Sequence, residues 1–278
     1  MKLPIDVLPL FPVLNEKLVS FLKQLSSVDW QKQTIARKWV IKDVAAHLLD
    51  GNYRRIALHR DDWSVPPDIA INSYGDLVNY LNSLNADWVK ATKRLSPAIL
   101  IELLELTNET VYEIFSGLDP FATSAYPVSW AGETVSHNWF DIAREYTERW
   151  LHQQQIRDAI GDKTIMSTEL YHPFLDIFMQ AWPFTLASID AKEGTMLSVV
   201  ITGAGEWFVK MENGKWQLNG QPEKRKAGIV TAETVIDGGI AWKLFSKSIR
   251  KEEINESVTI KGDHFLGEKI LDMVSVMA

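Results

Sequence analysis

The sequence predicts an α plus α+β protein, with a helical bundle over about 1–190 and a small α+β domain over about 191–278. Three observations carry this reading. From residue 13 to about 190, apolar residues recur at i, i+3, i+4 and i+7, the pattern of helices that bury one face. Beyond 190 the period shortens to two, and Asn213-Gly214 supplies the dipeptide that two-residue hairpin turns prefer. The 278 residues are long for one domain and comfortable for two, at roughly 100–200 residues each.

Taken in order, the helical segments are "NEKLVSFLKQLSS", "KDVAAHLLDGNYRRIALHRDD", "YGDLVNYLNSLNADWVKATKRL", "PAILIELLELTNETVYEIFSGL" and "SHNWFDIAREYTERWLHQQQIRDAIG". Breaks fall at "SVPPDI", at "RLSP" with Pro97 placed for a first helical turn, and at "DPFATSAYP". Gly161 stands where a glycine ends a helix. The segment "TELYHPFLDIFMQAWPFTLAS" holds Pro173 and Pro183, so its helix is expected to start late or kink. In the tail, "TMLSVVITG", "EWFVKMENGKWQLNG", "AGIVTAET" and "ESVTIKGD" read as strands, mostly sequential, with "ETVIDGGIAWKLFSKS" and "HFLGEKILDMVSVM" as helices on one face.

Composition removes several classes of function. The formal net charge is −7, and the longest basic cluster is the short "EKRK" at 223–226, so no nucleic-acid partner is expected. No stretch approaches the ~18 apolar residues of a membrane span, and the proline-broken N-terminus makes a poor signal peptide. A cytoplasmic location and no membrane partner are the expectation. The chain has no cysteine, hence no disulfide, no thiolate ligand and no cysteine nucleophile. "GAG" at 203–205 reads as a turn between strands, since it opens no helix as a nucleotide loop would.

Any metal must therefore be held by His and carboxylates. Glu148 and His152 stand four apart, which on a helix sets their side chains about 6 Å apart in rise and about 40° in azimuth, side by side. The pair is either two ligands or an ordinary polar face on which Glu148 pairs with Arg144. A metal centre needs a third ligand. His137 is roughly 16 Å from Glu148 along a continuous helix, and Glu145 is about 10 Å from His152, so neither can join. His47 lies alone among Val44, Ala45, Ala46, Leu48 and Leu49, which suits a hydrogen-bonded core histidine as well as a ligand. Asp43 falls in the first turn of that helix, at the end where a carboxylate is favoured. Asn52, Tyr53, Arg54 and Arg55 are candidates to face a substrate, and Trp130 and His137 to line a pocket, although packing or solvated roles explain them equally.

Two stretches together resemble a known family. Trp39, Asp43, Val44, His47 and Leu48 in "KWVIKDVAAHLL", and Glu148, His152, Ile156, Arg157, Ala159 and Gly161 in "ERWLHQQQIRDAIG", look like the motifs of DinB-like metalloenzymes of the mycothiol-dependent maleylpyruvate isomerase type. That resemblance implies a DinB-like four-helix bundle with additional helices, and a metal bound by His47, Glu148 and His152. At the C-terminus, "GEWFVKMENGKW" and "VTIKGDHFLGEKILDMVSVM" look like the small sterol-carrier-like domain of these isomerases. Gln155 departs from the pattern, standing where relatives often have an acidic residue, and no tail arginine matches the family's substrate-binding arginines.

Two imidazoles and a carboxylate suit Zn²⁺, with Ni²⁺ as an alternative, and leave a position open for water or substrate. The resemblance implies that an external low-molecular-weight thiol is activated there for S-transfer or isomerisation of a small-molecule substrate. A metal-dependent hydrolase on the same residues, and a non-catalytic small-molecule binding protein, are the alternatives. A monomer or a homodimer is compatible with the sequence.

Overall fold

The computed structural model describes residues 3–125, 135–219 and 230–273. By packing they form two compact units. One comprises Asp6–Pro120 and Glu148–Ile165, and the other takes the remaining described residues.

The first unit is a helical bundle. It contains α1 (Phe11–Leu22), α2 (Ile41–His59), α3 (Tyr74–Thr92), α4 (Pro97–Gly117) and the second part of α5 (Asn138–Asp158). The helices begin where local chemistry caps them. Ser96 Oγ accepts from the Ile99 backbone N–H at 3.2 Å ahead of Pro97, and Ser73 Oγ accepts from that of Asp76 at 3.1 Å. At α2 the Asp43 carboxylate accepts from the Val40 N–H at 3.1 Å, as its first-turn position predicts. The core joins Leu18 and Leu22 of α1, Ile41, Val44, Ala45 and Leu49 of α2, Leu100 and Leu104 of α4, and Ile156 of α5. Trp88 of α3 donates its indole N–H to the Ala46 carbonyl at 2.7 Å, tying α3 to the helix that carries His47.

After α5 the chain turns at Gly161, whose φ of +84° is the left-handed conformation that favours glycine. Arg157 fastens this end. Its guanidinium donates to Asp162 at 2.7 Å and to the Lys17 carbonyl at 2.8 Å, and lies over the Phe21 ring at 4.2 Å. Arg157 of the second motif thus fixes the helix terminus on α1.

The second unit holds a five-stranded mixed sheet in the order β3-β2-β1-β4-β5, from β1 (Met196–Ile201), β2 (Gly205–Glu212), β3 (Lys215–Asn219), β4 (Ala232–Ile236) and β5 (Val258–Gly262). Asn213 and Gly214, with φ of 53° and 71°, make the two-residue turn between β2 and β3. The strands are mostly sequential, as expected, and the exception is β4, which pairs with β1 in parallel through a crossover. The helix expected from Glu233 also starts later: β-branched Thr234, Val235 and Ile236 complete β4, and α8 (Gly238–Phe245) begins after Asp237, whose carboxylate accepts from the Gly239 N–H at 2.8 Å. The proline-rich segment divides rather than starting late. α6 (Thr168–Met179) carries Pro173 inside it, and Pro183 falls in the first turn of the short α7 (Trp182–Thr185). A last short helix, α9 (His264–Glu268), packs on β4 and β5.

Candidate metal centre

His47 occupies the second turn of α2, while Glu148 and His152 lie one turn apart on α5, all within the bundle unit. The fold brings one ligand atom from each within 4.8 Å of the others. Around a four-coordinate ion at about 2.0–2.1 Å, donors stand about 3.3–3.5 Å apart. The Glu148 Oε2 to His152 Nε2 distance of 3.2 Å is already of that size, so the cluster needs only to draw His47 inward.

The protonation pattern favours a cation. His152 Nδ1 is 2.9 Å from Gln155 Oε1, an acceptor, so Nδ1 bears a proton and Nε2 is the nitrogen that faces the Glu148 carboxylate, 3.2 Å away. A divalent ion bound by both groups would take the place of that contact. His47 adds a third candidate ligand, and its Nδ1 is buried with no hydrogen-bond partner among the described residues. Burial, reinforced by His152 and Arg54 nearby, holds the His47 imidazole well below its ordinary pKa, hence neutral and able to ligate. The residues present therefore fit a divalent metal. Glu148, half-buried, gives the cluster an opening to solvent, whereas His47 and His152 are buried.

Trp39 closes one side. Its ring centroid is 4.8 Å from that of His47 and 6.3 Å from that of His152. The preceding loop holds it there, since Thr34 Oγ1 and Gln33 Nε2 each donate to the Trp39 carbonyl at 2.8 Å.

The remaining sequence candidates have other partners. Asn52 is buried and donates to Thr107 Oγ1 at 2.8 Å and to Asn108 Oδ1 at 2.9 Å. Arg54 pairs with Asp50 at 3.2 Å, Arg55 lies over Phe115 at 5.7 Å, and Tyr53 packs edge-on against Trp88 at 5.9 Å. Arg144, weighed as a partner for Glu148, donates to Asp141 at 2.9 Å, while the Glu148 carboxylate faces His152. His137 lies before α5, its backbone bridged to Thr123, and Trp139 packs on Phe140 at 5.0 Å. Trp130 lies outside the described residues.

Sequence reasoning missed three contributors. Gln155, noted only as a departure from the family pattern, is the residue that orients His152; its i+3 spacing was the available signal. Trp39 served only as a motif residue, and nothing in its spacing announced a contact with both histidines. Arg149 gave no signal at all, because α5 buries polar residues around its whole circumference: Arg149, Gln153, Gln154, Gln155 and Arg157.

Comparison with known proteins agrees with this architecture. No curated protein sequence matches the chain. Among solved structures the chain is similar to the "mycothiol-dependent maleylpyruvate isomerase", at 11% identity, with 91% of each chain covered and a TM-score of 0.52. A histidine-to-alanine mutant of that enzyme is similar over the same shares at a TM-score of 0.49. The likeness shows a shared fold, a helical bundle followed by a small α+β domain. A family model described as "Mycothiol maleylpyruvate isomerase N-terminal domain" matches residues 12–157, more than half of the 278-residue chain. The chain belongs to the mycothiol maleylpyruvate isomerase N-terminal domain family.

Proposed function

We propose that this chain is a metal-dependent enzyme that uses an external low-molecular-weight thiol for isomerisation or S-transfer on a small-molecule substrate, with Zn²⁺ (or Ni²⁺) held by His47, Glu148 and His152. The observation that carries the reading is the convergence of two buried imidazoles, one with its Nδ1 held by Gln155 and one whose Nδ1 has no hydrogen-bond partner among the described residues, with one carboxylate, in a chain of this family. Burial keeps the His47 imidazole neutral, and the Gln155 bond turns His152 Nε2 toward the Glu148 carboxylate. A divalent ion there would lower the pKa of a coordinated thiol and hold it as the nucleophilic anion. With no cysteine in the chain, that thiol comes from solution. Trp39 and the apolar α2 face restrict water on the buried side, while half-buried Glu148 marks the side from which substrate would approach. The solved relative's name points to an unsaturated diacid such as maleylpyruvate as the class to try first. We also propose that the chain divides into modules at 1–190 and 191–278.

The test has two stages. Purified protein should take up about one equivalent of Zn²⁺, and His47→Ala should lose it; unchanged uptake in that variant would overturn the triad. Turnover of maleylpyruvate by the zinc-loaded protein should then require added mycothiol or a comparable thiol. Equal turnover without thiol would point to a metal-dependent hydrolase on the same residues.

A further inference from the structure

Beside the candidate metal centre lies a buried polar cluster that chelation does not use. Arg149 directly follows Glu148 on α5 and is 5% exposed. Its Nη1 donates to Asn15 Oδ1 of α1 at 3.1 Å and to Asn108 Oδ1 of α4 at 2.9 Å, and its Nη2 donates to Asn52 Oδ1 of α2. Asn52 in turn donates to Asn108 and to Thr107, whose hydroxyl donates to the Leu103 carbonyl at 2.7 Å. The guanidinium also lies over the Phe11 ring at 5.4 Å. One side chain thus gathers amide oxygens from the three other helices α1, α2 and α4.

Its placement relative to the ligands is the informative part. Asn52 lies five residues beyond His47 on α2, and Arg149 lies between Glu148 and His152 on α5. A slip or rotation of α2 against α5 would change the distance from His47 to the Glu148–His152 pair, and the same slip would pull Asn52 from Arg149. A planar guanidinium with five donors in fixed directions resists that motion, whereas an ammonium on a flexible stem reaches fewer acceptors and does not fix their geometry. A purely adhesive role would be served by apolar contacts, which do not set register as hydrogen-bonded polar groups can.

We infer that Arg149 is a positioning residue for the His47–Glu148–His152 cluster, setting α2 in register with α5 through Asn52. The inference rests on the metal reading above for its functional meaning, but its geometric content stands apart from it.

The experiment compares Arg149→Lys with Leu100→Ala, a core truncation remote from the clasp, in the full-length protein. Zn²⁺ affinity is measured by competition with a chromogenic chelator, urea midpoints are taken without metal, and the ring-proton NOE between His47 and His152, whose centroids are 4.6 Å apart, is recorded in the metal-free state. Arg149→Lys should bind Zn²⁺ at least about tenfold more weakly and lose the inter-ring NOE. Leu100→Ala, destabilised as much or more, should keep both. Arg149→Lys with wild-type affinity and an intact NOE would overturn the inference, as would equal losses in Leu100→Ala. Should Arg149→Lys fail to fold, Asn52→Ala removes the α2 acceptor itself; a weaker Zn²⁺ affinity together with loss of the inter-ring NOE supports the clasp, and unchanged affinity with an intact NOE overturns it. Wild-type protein that binds no Zn²⁺ overturns the metal reading, and the NOE comparison then decides the clasp on its own.

Discussion

Gln155 Oε1 accepts from His152 Nδ1 at 2.9 Å, one turn along the same face of α5. The bond engages Nδ1 and leaves Nε2 turned toward Glu148, 3.2 Å away. A neutral amide thus does the orienting work at His152.

Replacing Gln155 follows directly from this. Gln155→Leu should weaken Zn²⁺ binding about 10–100-fold, because the ring is then free to rotate or to take the other tautomer. Gln155→Glu should bind at least as tightly as wild type. Chelator competition measures both, and a Leu variant of wild-type affinity would remove Gln155 from the site.

The His47 environment makes stability depend on pH. Burial lowers its pKa well below 6.5, so below pH 6.5 the unfolded chain binds a proton that the folded chain refuses. Folding of the metal-free protein therefore weakens as pH falls through this range, by up to ~1.4 kcal/mol per pH unit from this group. Urea unfolding at pH 7.5 and 5.5 should show a smaller loss in His47→Gln than in wild type. Identical losses would mean that His47 protonates freely in the folded protein.

At Gly262 the end of β5 takes φ of +80°, and an added Cβ would meet the Thr231 carbonyl oxygen at 2.2 Å. Backbone cannot yield as a side-chain tip can. Gly262→Ala should cost at least about 1–3 kcal/mol, read as a lowered urea midpoint. Gly161→Ala, with φ of +84° but nothing within 4 Å, should cost less.

Most of the bundle was legible in the sequence because its helices follow the 3.6-residue period and carry their own caps, Ser96 with Pro97 and Asp43 among them. The Asn213-Gly214 turn was legible for the same reason: the two residues tolerate the conformation that the turn demands. The crossover that sets β4 beside β1 was not, since pairing between distant strands leaves no local trace. Neither was the end of β4, where Glu233–Ile236 suits a helix start or a strand and only Asp237 decides. At the candidate centre, His47, Glu148 and His152 were named from motif and spacing. Arg149 escaped because a buried arginine in a polar stretch looks like a solvated one until its acceptors arrive from three other helices.

The indole of Trp39, held by its loop against both histidines, gives the molecule an optical gauge of its own. Its emission responds to whether the imidazoles beside it bear a proton, a metal or neither. Subtracting the spectrum of Trp39→Phe from that of the parent removes the light of the other ten tryptophans and leaves the voice of this one ring, so the state of the cluster can be followed in solution without dye, label or crystal.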